Sequence, residues 1–180
     1  MIKEMNLIFL FFLRVKNKLR KIVNKNSILL SSKIILEKKY KKNSKFTFVQ
    51  IGANDGISFD FLYDFVNKRQ SSGIVVEPVK DYFNELEKNY INNDLIIKVN
   101  KAIHPLENKI EIFKINPNAI SKYPNWVKGI ASLDKKHHLK TGIDSSDIIS
   151  ELVETENINN LIIKNNFKNK VNYLQIDTEG

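Results

Sequence analysis

The chain holds 180 residues, with 29 Lys/Arg against 20 Asp/Glu, a formal net charge of +9 and no cysteine. Hydrophobic residues at 42% and charged residues at 27% are ordinary globular composition, which excludes a disordered tail or a collagen-like repeat. The missing cysteine excludes a disulfide framework, a thiolate metal site and a Cys nucleophile, and it fits a reducing compartment.

The charge is unevenly spread. Residues 1–45 carry 13 Lys/Arg against two acids, Glu4 and Glu37, a balance of +11; the rest carries 16 against 18, a balance of −2. A basic surface over a whole domain would point to nucleic acid. Confined to an arm it does not, and no nucleic-acid partner is expected. The longest apolar run, Leu7 to Leu13, is seven residues, well short of the roughly 20 that span a bilayer. Arg14 to Lys21 follows without a small-residue cleavage site, so secretion is not expected. Two readings of the arm stay open. It packs as a helix with a solvated basic face, the plainer reading, or residues 1–45 lie peripherally on anionic lipid, apolar side down. The expected organisation is a basic, partly apolar helical arm over 1–44 and a main domain over 45–180.

In chain order, Phe46 to Ile51 is β-branched and aromatic and reads as a buried strand ending at Gly52. Ser58 to Lys68 places Phe61, Leu62, Phe65 and Val66 on one helical face. Gly73 to Val76 reads as a second buried strand. Asp81 is the expected N-cap of a helix with Tyr82, Phe83, Leu86 and Tyr90 on its apolar stripe. Leu95 to Val99 is a third strand, and the β-α-β-α-β order points to a parallel α/β sheet. Lys109 to Ile115 alternates as a further strand, and Ile148 to Val153 reads as another. Residues 116–145, with Pro117, Pro124, Trp126, Gly129 and Gly142, lack periodicity and read as a substrate-facing insertion. Thr155 is the expected cap of a helix carrying Ile158, Leu161, Ile162 and Phe167. Val171 to Ile176 is a last buried strand running into Asp177-Thr178-Glu179-Gly180. A chain ending at a strand tip leaves an apolar sheet edge, so an N-terminal portion of a longer protein is expected.

In an open parallel sheet, ligands bind at the carboxyl ends of the strands. Three such ends stand out. Gly52-Ala53-Asn54-Asp55-Gly56 allows a tight turn and close backbone approach, with free N–H groups expected at the following helix. Glu77, 25 residues beyond Gly52, sits where a carboxylate can accept both ribose hydroxyls. Asp177 and Glu179 follow the last strand. The turn departs from the Gly-x-Gly-x-x-Gly dinucleotide fingerprint and from the phosphate-binding Gly-x-x-x-x-Gly-Lys loop. Nicotinamide, flavin and S-adenosylmethionine binders share this pattern, and a purely structural turn produces it as well.

The stretches Phe48 to Gly56, Val75-Val76-Glu77-Pro78, Asn100-Lys101-Ala102-Ile103 and Leu174 to Gly180 resemble, in order, the successive motifs of the FkbM-type methyltransferases. The resemblance covers residues 46–180. It implies a Rossmann-like class I fold, an α/β sheet with helices on both faces whose family pattern continues with further C-terminal strands. It implies an S-adenosyl-L-methionine-dependent enzyme that methylates a hydroxyl of a sugar, glycan or similar polyhydroxylated acceptor. Gly52, Ala53, Asn54 and Gly56 would then face the amino-acid part of S-adenosylmethionine, with Asp55 and Pro78 in the same cofactor-binding set. Glu77 would hold the ribose, and Asn100, Lys101 and Ala102 would border the adenine. Asp177 is the first and Glu179 the second expected base; the pair could instead bind a divalent ion or serve only to orient the cofactor. No metal site is expected from His137-His138, which lack a third ligand at a recognised spacing, and His104 reads as a loop residue. Trp126 and Tyr123 either stack on a sugar ring or anchor the insertion. The alternative from another class is a non-catalytic nucleotide-fold scaffold tethered by its basic arm; a nicotinamide oxidoreductase ranks third. Location is expected to be cytoplasmic, with peripheral contact at the inner membrane face open to the arm.

Overall fold

The structure is a computed structural model that describes residues 31–58, 61–167 and 171–178. The arm's apolar run and the basic stretch after it, together with Glu179 and Gly180, lie outside the described residues. The chain parts into two units between Lys41 and Lys42. The first contributes helix α1 (Ser32–Lys39), capped by the Ser31 hydroxyl, which accepts the Ile34 N–H at 3.3 Å. Among the described residues no helix is long and apolar enough to cross a membrane.

The second unit is built on two sheets. In chain order its elements are β1 (Lys45–Ile51), α2 (Leu62–Asn67), β2 (Gln70–Val76), α3 (Lys80–Asn89), β3 (Ile96–Val99) and β4 (Ala102–Ile103). There follow β5 (Lys109–Ile115), β6 (Ala131–Ser132), α4 (Lys135–Lys140), β7 (Ile148–Glu156), α5 (Ile158–Lys164) and β8 (Tyr173–Ile176). Short 3-10 turns at Pro117–Lys122, Asn125–Gly129 and Ser145–Asp147 fill the segment without periodicity.

The first sheet runs β3-β2-β1-β8, every pair parallel. Its carboxyl ends therefore lie on one side: Ile51 pairs with Val76 and Ile176, and Val76 with Val99. β1 and β2 are buried through their last four residues, as strands covered on both faces must be. On one face Phe46 packs edge-on against Phe65 of α2, with ring centroids 5.0 Å apart. On the other, Val49, Ile51, Ile74 and Val76 form a core with Leu161 of α5 and with Phe167. Gly73 lies opposite Phe48, and any side chain there would run into that ring. This is the Rossmann-like arrangement, with helices on both faces of a parallel sheet.

The second sheet runs β4-β7-β5-β6, with β5 antiparallel to β7 and β6. A separate core of Val79, Ala102, Ile112 and Val153 joins this sheet to the start of α3. The join carries an ion cluster around the buried Lys114 as well. The Lys114 ammonium contacts the Asp81 carboxylate at 2.8 Å and that of Glu151 at 2.5 Å, and Glu151 also accepts the Lys80 N–H. Burial alone would lower the Lys114 pKa, but hydrogen bonds to Asp81 and Glu151 carry it above the ordinary value.

Several boundaries differ from the expectations. Helix α2 begins at Leu62, not Ser58, because the Asp55 carboxylate draws Ile57 and Ser58 into its own turn. Val79, without a side-chain cap, precedes α3, whereas Asp81 lies in its first turn with the carboxylate turned to Lys114. Thr155 belongs to β7, and Asn157 caps α5 by accepting the Asn159 N–H at 2.9 Å. Phe167 lies beyond the end of α5 but still packs into the same core.

Candidate functional site

A cleft of about 720 Å³ opens across the carboxyl ends of the parallel strands. One wall is the turn after β1. Gly52 adopts φ +76°, and a Cβ there would lie inside the van der Waals radius of the Asp177 carbonyl oxygen, so glycine lets the β1 and β8 ends meet. Gly56, at φ +81°, leaves room for the Tyr90 ring; a Cβ there would come within 2.8 Å of its Cε2. Between them Asn54 sits at φ +51°, a left-handed conformation that asparagine tolerates better than most residues.

Every backbone N–H from Gly52 to Ser58 has an acceptor within the protein. Gly52 and Ala53 both donate to Val76 O at 3.0 Å, and Gly56 donates to Ala53 O at 2.8 Å. Asn54 donates to Glu77 Oε2 and Asp55 to Asn54 Oδ1, each at 2.8 Å. Ile57 and Ser58 both donate to Asp55 Oδ1. The turn itself therefore offers no open N–H group: Val76 O and Ala53 O, the Glu77 carboxyl and the Asn54 and Asp55 side chains take them between them. Burial alone would raise the Asp55 pKa, but the hydrogen bonds from Ser58 and Ile57 hold it below the ordinary value.

Glu77 follows β2 and is 4% exposed. Its oxygens accept the Asn54 N–H at 2.8 Å and the Val79 N–H at 2.9 Å. Burial outweighs both bonds and pushes its pKa up to about 7, with Glu151 adding to the rise. Tyr82 lines the same wall, its phenol pushed up to about 12 by burial, then by Glu77 and Asp81.

The opposite wall is apolar. Ile103 of β4, Ile110 and Ile112 of β5, and Ile130 and Ala131 at β6 face the cleft. The insertion closes it with Trp126, Gly129, Leu133, His137 and Thr141. Asp177 stands at the rim, held by its N–H to Ile51 O at 3.0 Å.

The cleft thus brings together Gly52, Ala53, Asn54, Gly56, Glu77, Pro78, Lys101, Ala102 and Asp177. Asp55 and Asn100 stand behind it. Asp55 is spent on its turn and on Ser58, while the Asn100 amide donates to Glu77 O at 2.9 Å and Pro78 O at 3.0 Å, bracing the β2 tip. Glu179 lies outside the described residues. Sequence reasoning missed the second sheet's contribution, although the alternation Ile110/Ile112 in β5 marked an apolar face waiting for an occupant. The insertion reads as substrate-facing, with His137 weighed only as a metal ligand and Thr141 not singled out; both line the cleft.

The remaining singled-out side chains have local roles. His104 Nδ1 accepts the Leu106 and Glu107 N–H groups. Tyr123 donates its hydroxyl to Asp147 at 2.7 Å and accepts the Asp144 N–H, an anchor within the insertion, whereas Trp126 is 46% exposed on the cleft. His138 is fully buried with Nε2 2.9 Å from Phe113 O, while His137 faces the cleft. Among the described residues no cluster of His, Asp or Glu could hold a metal ion.

Electrostatically the cleft suits a cation. Lys101 is the single Lys or Arg among its described lining residues, and its ammonium is occupied by Glu154 at 3.4 Å and Glu156 at 3.9 Å. Two carboxyl groups, those of Glu77 and Asp177, line the cavity. A phosphate at the Gly52–Ser58 turn would find every backbone N–H already taken, whereas an ammonium or sulfonium would lie near two carboxyl groups.

Residues 50–180 match the Methyltransferase FkbM domain, so the chain belongs to the FkbM methyltransferase domain family. No curated protein and no solved structure matches the chain.

Proposed function

We propose that this methyltransferase uses S-adenosyl-L-methionine to methylate a hydroxyl of a sugar, glycan or similar polyhydroxylated acceptor. The observation that carries the donor is the cation-suited end of the cleft, with no backbone N–H left from Gly52 to Ser58 and the Glu77 carboxylate beside it. The residues fit that donor. Each Glu77 oxygen keeps a lone pair beyond its one backbone bond, enough to accept ribose hydroxyls. Ile103, Ile110 and Ile112 supply an apolar surface for a flat base. The same features disfavour a nicotinamide dinucleotide, whose pyrophosphate would need N–H donors.

When bound, S-adenosylmethionine supplies a methyl group on a cationic sulfur, activated for displacement. What remains for the protein is alignment and proton removal. The turn and Glu77 hold the donor end, and Asp177 at the rim accepts the proton of the acceptor hydroxyl as its oxygen takes the methyl. With the donor held there, its methyl would pass from sulfur to that oxygen, the sulfur keeping the bonding pair. Trp126 offers a ring face to a saccharide, the basis for an acceptor of that class. The protein is read as cytoplasmic, with its basic arm available to an anionic membrane face.

The test is transfer of labelled methyl from S-adenosylmethionine to a panel of saccharides. Transfer is expected with wild type and is reduced about 100-fold or more in Asp177→Asn, with donor binding retained. Labelling unchanged in that variant would remove Asp177 as the base, and labelling of no hydroxylated acceptor would count against the acceptor class.

A further inference from the structure

One side chain joins the two ends of the cleft. The Asn54 amide Nδ2 donates to Lys128 O at 2.7 Å, across 74 residues of sequence. Its main-chain N–H and Oδ1 are committed as well: the N–H holds Glu77 Oε2 and Oδ1 accepts the Asp55 N–H. Lys128 belongs to the 3-10 turn Asn125–Gly129, which presents Trp126 to the cleft. That turn is otherwise tied down by Val127, fully buried in a core with Ile115, Ala119, Ile143 and Ile148. The left-handed backbone at Asn54 is what lets a single residue face Glu77 with its main chain and the insertion with its side chain.

From this juxtaposition we infer that Asn54 is a positioning residue that couples the donor end to the insertion wall. It sets where Trp126 stands relative to the Gly52–Gly56 turn, so that occupation of the donor end is felt at the acceptor wall. The sequence motif places Asn54 among residues facing the donor; the geometry gives its carboxamide a different task. The inference rests on the donor reading above. By linkage, a donor that fixes the turn also favours the acceptor, and the acceptor favours the donor by the same factor. The acceptor therefore binds more tightly after the donor than before it.

Trp126 is the single tryptophan of the chain, which makes it a specific reporter of that wall. The experiment titrates the full chain with S-adenosylhomocysteine, following binding by calorimetry and Trp126 emission in parallel. Wild type is expected to bind and to change its emission. Asn54→Gly keeps the left-handed backbone but loses the carboxamide, and is expected to lose the emission change even where calorimetry shows it saturated with ligand. Asn54→Asp keeps the acceptor for the Asp55 N–H but replaces the Nδ2 donor, and is expected to behave likewise. Circular dichroism establishes that each variant is folded.

An emission change retained in both variants would overturn the coupling, since direct contact between ligand and Trp126 would explain it. Binding by wild type without any emission change would overturn it too. Loss of binding in Asn54→Gly would mean that the carboxamide serves the donor directly. If wild type itself binds no S-adenosylhomocysteine by calorimetry, the donor assignment falls, a result separable from failure of the coupling alone.

Discussion

Glu77 concentrates the site's energetics in one carboxyl group. Buried at the tip of β2, it is held by two N–H donors and still resists ionisation, with a pKa near 7 against an ordinary 4.5. The sign of its linkage follows. Its folded pKa is raised, so the protonated state's stability is fully present below about pH 4.5 and is lost as pH rises through about 7. The loss from this group approaches about 3 kcal/mol at pH 8. Urea unfolding should therefore show stability falling between pH 5 and 8, a slope that flattens in Glu77→Ala; equal slopes in the two proteins would contradict the account. A cationic donor offsets the same penalty by favouring the carboxylate, so S-adenosylhomocysteine, with an ammonium but no sulfonium, should recover part of it. The sequence marked Glu77 and the glycine turn because strand ends and glycines are visible in one dimension. It could not show that the Asn54 and Asp55 side chains take the N–H groups of Asp55, Ile57 and Ser58, since that depends on where those side chains fold back.

At the scale of elements, strands and helices of the parallel sheet were legible because buried strands there are continuous apolar runs and helices carry a stripe. The helix starts were less so. Asp81 has the chemistry of an N-cap, but Lys114, 33 residues on, competes for its carboxylate and wins. Thr155 likewise stands where a cap belongs, yet β7 extends through it to Glu156 in pairing with β5 and β4. Long-range partners decide such cases, and local propensity does not record them. The Lys114 cluster ties α3 to the second sheet and so fixes the cleft's apolar wall relative to Glu77. Lys114→Ala should strip the cation from Glu151 and cost about 2 kcal/mol, Asp81 being half exposed and Glu151 partly so. Lys114→Ala combined with Glu151→Ala should cost less than the two single changes added together, since each single change leaves a charge behind. Denaturant midpoints measure this, and simple additivity would show that the cluster contributes no coupling.

For the molecule as a whole, the two sheets divide the labour. The parallel sheet gathers the glycine turn, Glu77 and Asp177 at one edge because parallel strands end on the same side. The second sheet and the insertion complete a cleft of about 720 Å³, within the range of small-molecule sites. The most direct measurement is calorimetric titration of the chain with S-adenosylhomocysteine and, separately, with NADH, repeated on Glu77→Ala. The account predicts saturable binding of S-adenosylhomocysteine that is lost in the variant, and no binding of NADH. Binding of NADH, or S-adenosylhomocysteine binding unaffected by Glu77→Ala, would contradict it.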